Sequence, residues 1–96
     1  MNTNPKKEMG KEILSARRLE IIGAVGDSLD TGRVSLYGCK QDGCSDKDIV
    51  WECLNAANKD GRVSLEEFRL AGFKDYQIEM VAMKALAMYR DAKRGE

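Results

Sequence analysis

The chain has 96 residues, 43% hydrophobic and 33% charged, which gives room for one domain with a modest core. No apolar run approaches the ~18 residues of a spanning helix, and sixteen basic residues against sixteen acidic ones leave no surplus for a strong nucleic-acid binder. Histidine is absent, which removes the commonest general base, the Ser-His-Asp triad and most zinc chemistry.

The polar start, Met-Asn-Thr-Asn-Pro-Lys-Lys, leads into no signal-peptide core. Asn4 and Pro5 have the pattern of a helix cap and first-turn proline. The helix is expected to run to about Val25, with Leu14, Ile21 and Val25 on one stripe and Ile22 beside it. Residues 26–32 form a loop by composition, bounded by Gly26 and Gly32. From Ser35 to about Cys39 only a short helical turn fits, because Gly38 and Gly43 interrupt it. Ser45, with Asp46 and Asp48 at the positive end of the dipole, opens a helix carrying Ile49, Val50, Trp51, Cys53 and Leu54. A second polar loop spans about Ala56 to Ser64. Ser64 followed by Glu67 forms a capping box for a helix containing Phe68 and Leu70 that stops at Gly72. Asp75 caps a last helix to about Lys93.

Charge is unevenly distributed. Residues 1–18 carry five basic side chains against Glu8 and Glu12, whereas residues 19–89 carry eight basic against twelve acidic ones. The basic ends are read as solvated faces. The three cysteines, Cys39, Cys44 and Cys53, are an odd number with no secretory signal, which predicts free thiols in a reducing, cytoplasmic setting. Without histidine to complete a metal site, they are read as buried or incidental thiols.

The strongest internal signal is a repeat. Gly32-Arg33-Val34-Ser35-Leu36 recurs letter for letter as Gly61-Arg62-Val63-Ser64-Leu65. Two copies of one supersecondary unit are expected from a repeat on this scale. The second copy lies inside the run Asn58-Lys59-Asp60-Gly61-Arg62-Val63-Ser64-Leu65-Glu66-Glu67-Phe68. That run resembles the calcium-binding loop and exit helix of the EF-hand superfamily. The resemblance places Gly61 at the sharp turn, Asn58, Asp60 and Ser64 at oxygen-donor positions, the Arg62 carbonyl among the ligands and Glu67 as the bidentate carboxylate. The first loop position is Ala56, which has no oxygen to give. Only Asp60 and Glu67 then remain as charged ligands, beside Lys59 and Arg62, so no calcium or weakly bound calcium is expected. The first copy keeps Asp27 but has Leu29 and Gly38 at ligand positions, and no calcium is expected there.

The resemblance implies an all-α domain covering residues 1–96. It has a first hand at about 7–40, a second at about 45–72, a short β contact between the Val34 and Val63 segments, and an extra C-terminal helix at about 75–93. It also implies a protein-interaction module, an adaptor or light-chain-like subunit that binds an amphipathic partner helix with little or no dependence on calcium. The alternative is a calcium sensor working through the second loop. No nucleophile–base pair, phosphate loop or carboxylate pair suggests an enzyme.

The last helix has two apolar stripes. Ile78, Val81, Ala82, Ala85, Tyr89 and Ala92 form one, flanked by Leu86 and Met88; Tyr76, Met80, Met83 and Ala87 lie nearly opposite. The first stripe is expected in the core. The second is the candidate surface for a partner helix or self-association, since methionine suits adaptable helix-binding grooves.

Overall fold

A computed structural model describes the backbone of residues 5–95 and the side chains of residues 16–95. Among the described residues the secondary structure is all helical: α1 (Pro5–Asp30), α2 (Leu36–Gln41), α3 (Asp46–Lys59), α4 (Leu65–Leu70) and α5 (Asp75–Arg94). The long helices α1, α3 and α5 pack pairwise against one another, and α2 and α4 link them. The Asn4 cap and the side chain of Leu14 lie outside the described residues.

Each turn between helices is built the same way. The last residues of the preceding helix wind into a glycine with positive φ, at Gly32 (74°), Gly43 (75°), Gly61 (74°) and Gly72 (99°). At Gly61 the Gly61 N–H donates to the Asn58 carbonyl at 3.2 Å and the Arg62 N–H to the Ala57 carbonyl at 2.9 Å, closing off the orphan carbonyls of α3. An apolar residue follows, directly after Gly43 and Gly72 and after an arginine at Gly32 and Gly61, and at three of these four turns a serine then caps the next helix. Ser35 and Ser64 accept from the N–H groups of Gly38 (3.1 Å) and Glu67 (3.3 Å). Ser45 makes the full reciprocal box with Asp48. At α5 the cap is Lys74, whose N–H donates to Gln77 at 2.9 Å, and Asp75 is the first helical residue rather than the cap.

The repeated pentapeptide is therefore a helix-stop, helix-restart cassette, and it extends further than five letters. At an offset of 29 the match continues through Gly43/Gly72, Asp46/Asp75 and Ile49/Ile78, with Cys39 and Cys44 in place of Phe68 and Phe73. By this register α5 is the counterpart of α3.

Two boundaries depart from expectation. Helix α1 continues through Gly26 to Asp30, because Val25, Ser28 and Leu29 are buried on its inner face. Ser28 is fully buried, and its hydroxyl donates to the Ala24 carbonyl (2.9 Å) and across to the Cys53 carbonyl of α3 (3.3 Å). Helix α3 likewise runs through the expected loop to Lys59, with Ala57 buried. Among the described residues there is no strand, so the expected contact between the Val34 and Val63 segments is not a ladder. The Val34 N–H donates to the Ser28 carbonyl (3.1 Å) and the Val63 N–H to the Ala57 carbonyl (3.4 Å). Both donors are spent on the helix behind them, and the two valines serve as buried core residues.

The core gathers Ile21 and Val25 of α1, Val50 and Leu54 of α3, Phe68 of α4, and Ile78, Ala82 and Leu86 of α5. Phe68 stacks on Phe73 at 5.7 Å, and the Arg17 guanidinium lies 5.6 Å from the Phe68 ring centre.

Candidate functional site

The residues of the second loop are brought close together, but their oxygens already have partners. Asn58 lies in the last turn of α3, and its Oδ1 accepts from the Leu65 N–H at 3.1 Å. Asp60 caps α3 and pairs with Arg33 of the first cassette. Glu67 lies 3.7 Å from Arg17, and Ser64 Oγ caps α4. Arg62 reaches back to Asp27 at 2.8 Å. Each cassette's arginine thus holds an acid beside the other cassette, Arg33 to Asp60 and Arg62 to Asp27. These two ion pairs tie the turns together where a calcium pair would use its ladder and ions. Ala56 is half-buried within α3. A hard cation needs six to eight oxygens arranged around it, and a helical backbone through residue 59 keeps its carbonyls for itself. Among the described residues, neither Asp60 nor Glu67 joins a cluster of three acidic or thiol side chains able to hold an ion. In the first copy Asp27 is helical, Leu29 is buried and Gly38 lies within α2.

The second stripe of α5 faces outward. Tyr76, Met80 and Met83 are 57%, 65% and 36% exposed, and Ala87 is exposed as well. The opposite stripe is in the core, with Ile78, Ala82 and Ala85 buried and Val81 and Tyr89 half-buried at its edge; Ala92 is exposed beyond it. Leu86, expected only to flank that stripe, is itself in the core.

Two open grooves flank the exposed stripe. One, of about 390 Å³, lies between α1 and α5 and is lined by Arg18, Ile22, Phe73, Tyr76, Gln77, Met80, Val81 and Lys84. The other, of about 490 Å³, is lined by Lys47, Tyr76, Glu79, Met80 and Met83. Tyr76 and Met80 form the ridge between them. Phe73 and Val81 belong to this surface and were not singled out for it by the sequence; the packing of α1 beside α5 places them there with Ile22. Among the described residues Arg18 and Lys84 have no ion-pair partner, so the groove between α1 and α5 has a basic rim.

A third feature lies away from this face. Cys39, Cys44 and Glu52 offer two sulfurs and a carboxylate oxygen, all within 4.8 Å of one another. Burial, reinforced by the bond to Glu52, pushes the Cys39 thiol up to about 12, and burial pushes Cys53 up to about 11. Without a metal, Cys39 and Cys53 therefore favour the protonated thiol.

Comparison with protein-family models, with characterised proteins and with solved structures finds no match for this chain.

Proposed function

We propose that this chain is a helical protein-interaction module, built on an EF-hand-like framework, that takes an amphipathic partner helix against the outer face of α5 without using calcium. The observation that carries this reading is the unpartnered apolar ridge of Tyr76, Met80 and Met83 between two open grooves. A helix laid along such a ridge buries its own apolar stripe at i, i+3, i+4 and i+7. Arg18 and Lys84 on the rim, without an ion-pair partner among the described residues, favour a partner whose stripe is flanked by acids. Calcium independence rests on the ion pairs of Asp60 with Arg33 and Asp27 with Arg62, which neutralise the acids an ion would need.

The test is a titration of isotope-labelled protein with a model helical peptide carrying leucine at i, i+3, i+4 and i+7 and a glutamate rim. A lysine-rimmed version serves as control, and both are run with millimolar calcium and with chelator. Shifts at Ile22, Tyr76, Met80 and Met83, seen for the acidic-rimmed peptide in both buffers, are expected. Peptide binding that requires calcium, with shifts at Asn58–Glu67 on adding calcium alone, would instead establish the sensor reading. No shift on the α5 face with either peptide would remove the interaction surface.

A further inference from the structure

Cys39 and Cys44 hold, in the first repeat, the positions held by Phe68 and Phe73 in the second. The two turns match: the Cys44 N–H donates to the Cys39 carbonyl and the Phe73 N–H to the Phe68 carbonyl, each at 2.9 Å. This turn brings side chains five residues apart into contact. In the second repeat the contact is a pair of stacked rings, and in the first it is a pair of thiols. Glu52, from α3, reaches the same point, where its Oε2 accepts from the Cys39 thiol at 3.3 Å. Cys39 is buried, Cys44 half-buried and Glu52 exposed, so the cluster is walled on one side and open on the other. Cys44 also lines a cavity of about 500 Å³ whose wall includes Lys40 and Arg90.

We propose that Cys39, Cys44 and Glu52 are the protein ligands of a thiophilic divalent cation of the zinc class, with the fourth position left to water or an outside ligand. Two thiolates select a soft or borderline ion over calcium or magnesium. The absence of histidine does not remove such a site, because a carboxylate supplies the third ligand and solvent the fourth. A tetrahedral ion with bonds of about 2.0–2.3 Å holds its ligand atoms roughly 3.3–3.8 Å apart. Binding would draw the three atoms, which lie within 4.8 Å of one another, in to that spacing. Both thiols lose a proton to solvent on binding, while the carboxylate enters ionised. A 2+ ion then meets three negative ligands, and the net −1 charge lies near Lys40. One ion in, two protons out, makes affinity fall as pH falls.

Cobalt(II) is the probe, added without oxygen to the reduced, metal-free full chain. One equivalent should give the visible bands of a tetrahedral site and a sulfur-to-cobalt charge-transfer band, both erased by zinc, with two protons released per ion. Cys39→Ser and Cys44→Ser should each diminish the charge-transfer band, and the double variant should lose it. Cys53→Ala should keep it. Glu52→Gln changes an exposed side chain, so it should keep the fold, checked by circular dichroism, and raise the cobalt concentration needed for half-saturation. Three results would overturn the site: no thiolate–cobalt band in the reduced wild-type chain, a band that survives in the double cysteine variant, or unchanged binding in Glu52→Gln. Reduced protein that ignores cobalt but loses two thiols together on mild oxidation would also overturn it, in favour of a redox pair.

Discussion

Glycine substitutions separate the helices from the turns with opposite signs. Gly23 and Gly26 lie inside α1, with helical backbone and nothing within 4 Å of an added Cβ. Replacing a helical glycine by alanine removes unfolded-state freedom and adds a good helix former, a gain of about 0.5–1 kcal/mol per site. The double variant Gly23→Ala with Gly26→Ala should gain about 1–2 kcal/mol. For a domain of this size, 1 kcal/mol moves Tm by about 4–8 °C. Gly61 also has open space around a Cβ, but its φ is +74°, where an alanine side chain crowds the following carbonyl. That costs roughly 1–2 kcal/mol, offset in part by the same unfolded-state gain. Gly61→Ala should therefore lower Tm by several degrees, and Gly32→Ala should do the same. Thermal unfolding followed by circular dichroism and calorimetry measures all four. A Gly26→Ala variant that fails to raise Tm would refute the continuation of α1 through residue 26. A Gly61→Ala variant as stable as the parent would refute the left-handed turn.

Ala82 is fully buried, so Ala82→Asp should cost several kcal/mol and largely unfold a domain whose total stability is about 5–15 kcal/mol, whereas Met80→Glu with Met83→Glu should leave the melting transition within a few degrees of the parent. If the methionine variant unfolds as well, the α5 face is internal rather than a surface. Arg90 donates two bonds to Asp46, at 2.9 and 3.0 Å, and these hold the Asp46 carboxyl below its ordinary value of 3.8. A depressed acid stabilises the fold above that value and loses its contribution as pH falls below it. Arg90→Gln should flatten the loss of stability as pH falls below 3.8, and an unchanged acid titration would show the pair to be energetically silent. Ala56→Asp adds the carboxylate missing from the second loop, but within a helix and beside acids already paired with arginine. Calorimetry with millimolar calcium should detect no new binding heat, and a clear tenfold gain in affinity would mean the loop rearranges to accept the ion.

The sequence by itself determined where α2, α3 and α4 start and which glycines lie in the turns before them. Ser35, Ser45 and Ser64 carry side chains that satisfy the first N–H groups of α2, α3 and α4, and glycine supplies the positive φ that ends the preceding helix. These are local effects, settled within five residues, and they are legible in one strand of text. The inner stripe of α5 was legible for the same reason, since helical periodicity alone brings Ile78, Ala82 and Ala85 to one face. Tertiary structure decided what sequence distance conceals. Helix α1 continues past Gly26 because burying Ser28 against the Cys53 carbonyl and Leu29 in the core outweighs the low helical propensity of glycine. The acids that resemble calcium ligands are held by arginines from the other cassette, a pairing invisible in either loop alone. Glu52 meets Cys39 and Cys44 only because α3 packs behind the turn that joins them. Each of these contacts depends on which helix lies beside which, and that follows from burying three apolar faces at once rather than from any single segment.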